Sequence, residues 1–275
     1  TPLRAPSAEE VDWPALLRLA AWHRVVPFLY WGLQRTCPEA VPPSARTGLE
    51  AQMRAALGHS LFLTGELLRL LKDLHAQGIP ALPFKGPALA GTTVATLAPE
   101  DMLLVICAHG SHHHWSRLQW ICDVARLVRV HQTLDWDQVL AQARTARGQR
   151  MLWLGLRLAQ DLLAAPLPPE VAPQVQHDLQ TTRLARQVRR RLLEGALDQP
   201  PHWQRILFRV HLMPRVPDRL RYVVRALTSP RPEEWTSMPL PDPFFPVYYA
   251  LRPLRLAGTY GLRAAKHLYT WGQGR

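Results

Sequence analysis

Apolar residues recur at three- and four-residue intervals along most of the chain, which is the spacing of one face of an α-helix. The first such segment covers residues 7–35, which open with a Ser-x-x-Glu helix start and are interrupted at Pro27. The second covers residues 44–76 and is followed by Gly78, a residue typical of helix ends. The pattern predicts a short helical unit followed by one long helix.

Residues 79–84 form the one segment with the character of a β-strand, because they are apolar and lie between a helix end and a Lys-Gly pair. Pro80 and Pro83 lack the backbone N–H that a central strand needs. We therefore expect an edge strand or an extended segment, and a lone strand does not make a sheet.

Helical spacing resumes at Pro99, where Glu100 and Asp101 place negative charge at the positive end of a helix dipole. Predicted helices follow at residues 99–109, 115–130, 135–146, 149–164 and 171–197. Prolines then divide the remainder, which ends in a basic, aromatic and Pro-rich tail. The pattern predicts a predominantly α-helical protein built as a helical bundle, with an N-terminal region at residues 1–98 and a C-terminal region at residues 99–275.

Composition and charge narrow the class of protein. The 275 residues are 47% hydrophobic and 20% charged, which is typical of a folded globular chain. A net charge of +12 favours polyanionic partners such as nucleotides, nucleic acid or acidic lipid. The three cysteines show no zinc-type spacing, which indicates reduced thiols. The sequence has no apolar run of bilayer length and no leader, so we expect a cytoplasmic protein, and a start at Thr1 is consistent with a longer gene product.

The segment Leu82-Pro83-Phe84-Lys85-Gly86-Pro87-Ala88-Leu89-Ala90 combines an extended apolar run with a cation and a turn into a helix. Such a turn presents backbone N–H groups, and Lys85 adds a positive charge, so Lys85 and Gly86 are candidate nucleotide- or phosphate-binding residues. The alternative is an exposed cation on a turn. No Asp or Glu occurs between Gly86 and Pro99, although nucleotidyl transfer uses Mg²⁺ held by carboxylates.

Two acidic pairs further along the chain are better explained as helix caps than as metal ligands. Asp135-Trp136-Asp137 has Asp-x-Asp spacing, but Gln138 follows at the position of a capping box, so Asp135 is predicted to be an N-cap. Glu100 and Asp101 are adjacent at a helix start and project in directions about 100° apart. We therefore assign no metal ligand and no catalytic residue.

A polar cluster at residues 109–123 contains further candidates. His109 and His113 are four residues apart and would share a face of a continuous helix, although Gly110 is expected to end or bend it. The pair has three interpretations: a zinc site, a phosphate contact, or a polar helix junction packed beside tryptophans. We include Arg117 in this polar site, and Asp123 as a buried or half-buried acid paired with a base.

These residues carry a family resemblance. The segments 82–90, 99–104, 109–110 and 115–123 resemble the uncharacterised nucleotidyltransferase family, and residues 23–30 and 248–256 are also similar to its pattern. The family resembles the polymerase-β-type nucleotidyltransferases, in which a Lys-Gly pair is followed by an Asp-x-Asp strand that binds Mg²⁺ and by a third acid. Here residues 91–97 lead directly into the helical part. The resemblance therefore implies a truncated remnant of an α+β nucleotidyltransferase core within residues 1–98.

The resemblance implies transfer of a nucleoside monophosphate from an NTP with Mg²⁺. Because the acidic strand is missing, we expect no such activity and no cofactor in this form, with Mg²⁺ required only if a full gene product supplies the missing segment. The alternative function is nucleotide or nucleic-acid binding without catalysis, through the many arginines after residue 182. A third class is contact of the aromatic and basic C-terminal tail with a membrane surface, against which packing of this tail on the domain is favoured.

Overall fold

The computed structural model describes residues 11–83, 97–194, 201–229, 241 and 247–249. Its secondary structure consists of helices, so the predicted helical class is confirmed, and no strand occurs in these ranges. The segment expected to be a strand is not one over residues 79–83. Its two prolines remove ladder hydrogen bonds, and no neighbouring strand is present in the described ranges to pair with it. The α+β remnant stays a prediction.

The chain forms two compact units, Thr1–Pro201 and His202–Arg275. The predicted boundary at residue 98 lies beside residues 84–96, which are outside the described part, and stays a prediction. No described helix is long and apolar enough to cross a membrane.

The first three helices pack together at the N-terminal end of the first unit. They are α1 (Trp13–Trp22), α2 (Val26–Thr36) and α3 (Pro43–Ala76). Arg24 adopts a left-handed φ of 55° between α1 and α2, and Pro27 lies in the first turn of α2. Pro27 therefore starts a helix, because its missing N–H is harmless there, and the interruption falls before it. The long helix ends as predicted, with Gly78 at a φ of 69°.

The core of the first unit is built around α7. This core consists of α4 (Pro99–His112), α5 (Leu118–Val130), α6 (Trp136–Thr145), α7 (Gln149–Leu163), α8 (Ala172–His177) and α9 (Leu179–Leu193). Leu152, Leu154, Leu156 and Leu158 are all fully buried although they point to different sides of α7. This burial is explained by contacts of α7 with each of the other five helices.

The predicted helix at 171–197 is two helices, because Asp178 adopts an extended conformation and caps α9. Its Oδ1 accepts a hydrogen bond from the Thr181 N–H at 2.6 Å. Its Oδ2 accepts one from Arg150 Nε, on the first turn of α7, at 3.2 Å. Both Asp178 and Arg150 are largely buried, so the break is held by a tertiary ion pair that local spacing does not reveal.

In the second unit, α10 (His202–Leu212) and α11 (Val216–Thr228) form a helical hairpin. Arg219 Nε donates to the Met213 carbonyl at 2.8 Å across the turn. Arg209 and the Tyr222 hydroxyl lie 3.4 Å apart. These contacts show that Arg209 and Arg219 stabilise the hairpin.

Candidate functional site

The connection between α4 and α5 is a tight corner built on Trp115. His114 and Trp115 both have left-handed φ angles, 59° and 50°, so the chain reverses within two residues. The Trp115 backbone N–H donates to the Gly110 carbonyl at 2.8 Å, and its indole N–H donates to the Ser111 hydroxyl at 3.3 Å. Trp115 is fully buried, so the corner is fixed from inside the core.

Two glycines make room for the Trp115 ring. A Cβ at Gly110 would lie 2.6 Å from the ring, and one at Gly155 on α7 would lie 2.5 Å from Cys107 Sγ and 3.0 Å from the same ring. The expectation that the helix ends at Gly110 is wrong, since α4 continues to His112, and a bend at Gly110 stays a prediction. Gly110 is instead explained by the close approach of an aromatic ring.

The structure brings His109 and His113 together. Their rings lie 4.5 Å apart, and Trp120 contacts them at centroid distances of 5.5 Å and 5.2 Å respectively. His109 is half-buried and His113 is exposed. This is the packing expected of a polar helix junction beside a tryptophan. No group of three metal-ligating side chains occurs in the described ranges, so the zinc interpretation gains no third ligand there.

Arg117 points toward α1. Its Nη1 donates to the Trp22 carbonyl at 3.0 Å, and its guanidinium carbon lies 5.1 Å from the centre of the Trp22 ring. The bond satisfies a carbonyl at the end of α1, and the ring contact is a cation–π interaction. Arg117 therefore joins the α1–α3 helices to the α4–α5 corner.

His23 is a site residue that the sequence reasoning did not single out. Its carbonyl accepts from the Gln119 N–H at 3.2 Å, and its Nδ1 lies 3.4 Å from the Leu118 N–H. Burial, followed by the charge of Arg117, lowers the pKa of the His23 imidazole. A neutral ring is needed here because Nδ1 acts as an acceptor. The sequence feature that could have pointed to His23 is the His-Arg pair shortly before Pro27, because it lies at the break between two helices.

Of the two predicted caps, Asp135 caps its own helix, whereas α4 has no side-chain cap hydrogen bond and Glu100 contacts the start of α6 instead. Asp135 Oδ1 accepts from the Gln138 N–H at 2.9 Å, which confirms the N-cap. The Asp135 N–H, however, donates to Glu100 Oε1 on α4 at 3.1 Å, so Glu100 fills the place expected for the Gln138 side chain. Asp137 lies in the first turn of α6. These carboxylates stabilise helix starts, where the dipole favours negative charge.

Asp123 is half-buried on α5, as expected. The pairing of Asp123 with a base stays a prediction. Burial, followed by the charge of Asp123, raises the pKa of the neighbouring Cys122 thiol to about 11. Cys107 is fully buried and burial raises its pKa as well. The described thiols are free and these two are poor nucleophiles at neutral pH.

Lys85 and Gly86, the candidate phosphate-binding residues, lie outside the described residues.

Helix α9 has a basic surface. On one side of this helix Leu184, Ala185 and Val188 are buried. The opposite side of α9 is exposed and carries Arg183, Arg186, Arg189 and Arg190. Arg190 pairs with Glu194 at 2.6 Å, which leaves Arg183, Arg186 and Arg189 as the arginines that define the α9 basic stripe.

A model of the uncharacterised nucleotidyltransferase family matches the chain in two segments, residues 9–94 and 89–164. Together they cover residues 9–164, more than half of the chain. The match therefore includes α1 to α7 and the corner at Trp115, whereas α8 to α11 and residues 248–256 lie beyond it. No curated protein and no solved structure matches the chain.

Proposed function

The chain belongs to the uncharacterised nucleotidyltransferase family, and we propose that it binds a nucleotide or another polyanion without transferring a nucleotidyl group in this form. The observation that carries the proposal is the use of Glu100 and Asp135 in one shared helix-cap arrangement. Glu100 is the first acid after the Lys-Gly segment in sequence, and the carboxylate oxygens of Glu100 and Asp135 each accept a hydrogen bond from a backbone N–H group.

The described carboxylates do not suit the Mg²⁺ of nucleotidyl transfer. That ion needs near-octahedral oxygen ligands, with at least one or two carboxylates converging on it. Asp135 is an N-cap and Asp137 lies two residues further, inside the helix, so the pair lacks the shared direction that Asp-x-Asp has on a strand. We therefore assign no metal-dependent step to these residues.

The division of the family match supports the idea of a missing segment. The two matched segments overlap at residues 89–94, within the stretch where the resemblance places the acidic strand. A longer form with that strand would transfer a nucleoside monophosphate with Mg²⁺. Lys85 and Gly86 remain the proposed phosphate contacts in the present chain, because the sequence predicts a turn there, where a cation and backbone N–H groups would suit a phosphate.

A transfer assay tests the catalytic part of the proposal. The full chain is incubated with labelled ATP, GTP, CTP or UTP, Mg²⁺, and protein or RNA acceptors. We expect no transfer above a no-protein blank. Robust transfer that requires Mg²⁺ would overturn the proposal, and loss of that transfer in Glu100→Gln or Asp137→Asn would show which acid had been misassigned.

Nucleotide binding is tested separately with a fluorescent ATP analogue. Lys85→Ala is expected to weaken binding about tenfold, since it removes one charge-assisted phosphate contact. Arg126→Ala removes one exposed charge from α5 and serves as the matched control. Equal affinity in wild type and Lys85→Ala would contradict the assignment of Lys85.

The α9 basic stripe supports a second candidate function, which is nucleic-acid binding. Arg183, Arg186 and Arg189 share the exposed side of one helix, and such a stripe suits a phosphate backbone. Changing all three to Ala should weaken RNA binding and lower the slope of log affinity against log salt by about 2. A control that changes Arg54, Arg126 and Arg144 removes the same charge elsewhere. Equal losses in both variants would show only a general charge effect.

A further inference from the structure

Two arginines lie close together where the α1–α3 helices meet the α4–α5 corner. Arg24 follows the end of α1, and Arg117 immediately precedes α5. Arg117 donates to the Trp22 carbonyl at 3.0 Å. The His23 carbonyl accepts from the Gln119 N–H at 3.2 Å, so the two backbone segments are joined on either side of the arginines. Burial, followed by the charge of Arg24, lowers the pKa of the Arg117 guanidinium, and the two positive charges therefore act on each other.

This pair of cations lies in a part of the chain without acids. No Asp or Glu occurs from residue 13 to 38 or from residue 102 to 122, the stretches that contain the two arginines. Among the described residues, no ion pair joins Arg24 or Arg117 to a carboxylate. Two like charges held together without a counter-charge favour an anion, because an anion between them replaces repulsion by attraction.

Both side chains have donors to offer to such an anion. Arg117 is half-buried and uses one N–H for the Trp22 carbonyl, while a guanidinium has five. Its contact with the Trp22 ring fixes the plane of the guanidinium. The Arg24 side chain is exposed. The pair therefore combines a cation held in place by the fold with one that can move to meet a ligand.

The backbone at Arg24 is of a kind that suits glycine better. The Val25 N–H donates to the Ala20 carbonyl at 2.9 Å, which is the longer of the two bonds that close a Schellman motif. The Arg24 N–H donates to the Ala21 carbonyl at 3.1 Å, which is the shorter one. Arg24 has the left-handed φ of 55° that this motif requires and that glycine adopts without strain. The helix end gains nothing from the arginine side chain, so Arg24→Gly is expected to fold.

We propose that Arg24 and Arg117 together bind a phosphoryl group. Guanidinium groups present paired N–H donors that match phosphate oxygens, and two guanidiniums can hold one phosphate from two sides. The ligand is inorganic phosphate or a phosphate ester, since this chemistry recognises the phosphoryl group itself. The site uses neither Lys85 nor the α9 basic stripe, so it can be wrong while the proposed function is right, and the reverse.

Arginine side-chain NMR tests the site with inorganic phosphate as the probe. The full chain carries isotope-labelled arginine, and the Nε signal of Arg117 is identified by its loss in Arg117→Gln. We expect this signal to shift saturably as phosphate is added at constant ionic strength. Arg24→Gly should raise the phosphate concentration at half of the shift about tenfold, because it removes one charge-assisted contact. Its thermal unfolding temperature should equal or exceed that of wild type.

Arg147→Gly is the matched control. Arg147 occupies the same position after α6, with a φ of 55° and the same pair of backbone hydrogen bonds. Its replacement removes an equal charge and should leave the phosphate midpoint unchanged. The proposal would be overturned by the absence of a saturable shift in wild type, by equal midpoints in wild type and Arg24→Gly, or by an equal shift with chloride at the same concentrations.

The same signal distinguishes the two sources of the phosphoryl group. ATP is compared with tripolyphosphate, which has the phosphate chain without the nucleoside. A lower midpoint for ATP would support the site as one for a nucleotide, and equal midpoints would support a site for phosphate groups alone. With both probes Arg24→Gly should raise the midpoint, and an unchanged midpoint with both would contradict the proposal.

Discussion

Glu100 on α4 accepts a hydrogen bond from the backbone N–H of Asp135, the residue that caps α6. The two residues are 35 positions apart, so a helix start in this protein is completed by a side chain from another helix. This relationship ties α4 to α6 at the edge of the core, and it uses two acids that could otherwise be read as metal ligands.

Removing this shared cap should cost measurable stability. We expect Asp135→Ala to lower the free energy of unfolding by about 1 kcal/mol, because it removes the acceptor for the Gln138 N–H. Glu100→Ala should cost less, since it leaves the exposed Asp135 N–H to water. Urea unfolding measures both. Asp137→Ala, which changes only a dipole interaction, is the control, and a loss as large as that of Asp135→Ala would contradict the cap assignment.

The Gly110 and Gly155 positions should be intolerant of a single methyl group. Gly110→Ala places a Cβ 2.6 Å from the Trp115 ring, so we expect thermal unfolding to shift down by an amount that corresponds to about 2 kcal/mol. Gly65→Ala on α3 is the matched control, because a Cβ there meets no atom and alanine favours helix. A Gly110→Ala protein as stable as Gly65→Ala would show that Trp115 is not held as described.

The Asp178–Arg150 pair should make stability depend on acid pH. Burial alone would raise the pKa of Asp178, but hydrogen bonds from the Thr181 backbone and Arg150 lower it overall. The unfolded state then binds the proton more tightly, so the contribution is present above the unfolded pKa of about 3.9 and is lost as pH falls through the folded one.

Asp178→Asn keeps an N-cap residue but removes the charge. It should lower the free energy of unfolding by about 1.5 kcal/mol at pH 7 and make this free energy depend less on pH in the acid range. Urea midpoints measured from neutral to acid pH check this, with Asp137→Asn as the control. If the stability of Asp178→Asn depended on acid pH in the same way as that of wild type, the role given to the Asp178–Arg150 pair would be wrong.

His23 should contribute a second pH dependence nearer neutrality. Its folded pKa is lowered by burial and by Arg117, so the folded state resists the proton that the unfolded state accepts below about pH 6.5. Stability should therefore fall as pH drops through this range. Imidazole NMR titration locates the pKa directly. As pH drops, the free energy of unfolding should fall less steeply in His23→Asn than in the exposed-site control His75→Gln. Equal slopes of this free energy against pH in the two variants would contradict the prediction.

Local sequence signals predicted much of the helical layout. The long helix from residue 44 to 76, its end at Gly78, and the cap at Asp135 were all recognisable, because helical periodicity and capping are set by nearby residues. The family resemblance was likewise carried by short motifs, and the family match confirms it.

Errors occurred where distant residues decide the local conformation. Gly110 looked like a helix end but makes room for Trp115, and the break at Asp178 depends on Arg150 from another helix. His23 was overlooked because its role arises from Arg117 and Leu118, which are more than 90 residues away. Periodicity contains no information about such partners.

By itself, the sequence determined the helical class, the family, the excess of positive charge and the lack of Asp and Glu between Gly86 and Pro99. These follow from composition, spacing and motifs that lie close together in the chain. Tertiary structure alone decided that Glu100 completes the helix start at Asp135, that Gly110 and Gly155 lie against the Trp115 ring, and which leucines of α3 remain exposed. Burial and partnership depend on how distant segments meet, and that meeting is a property of the folded chain.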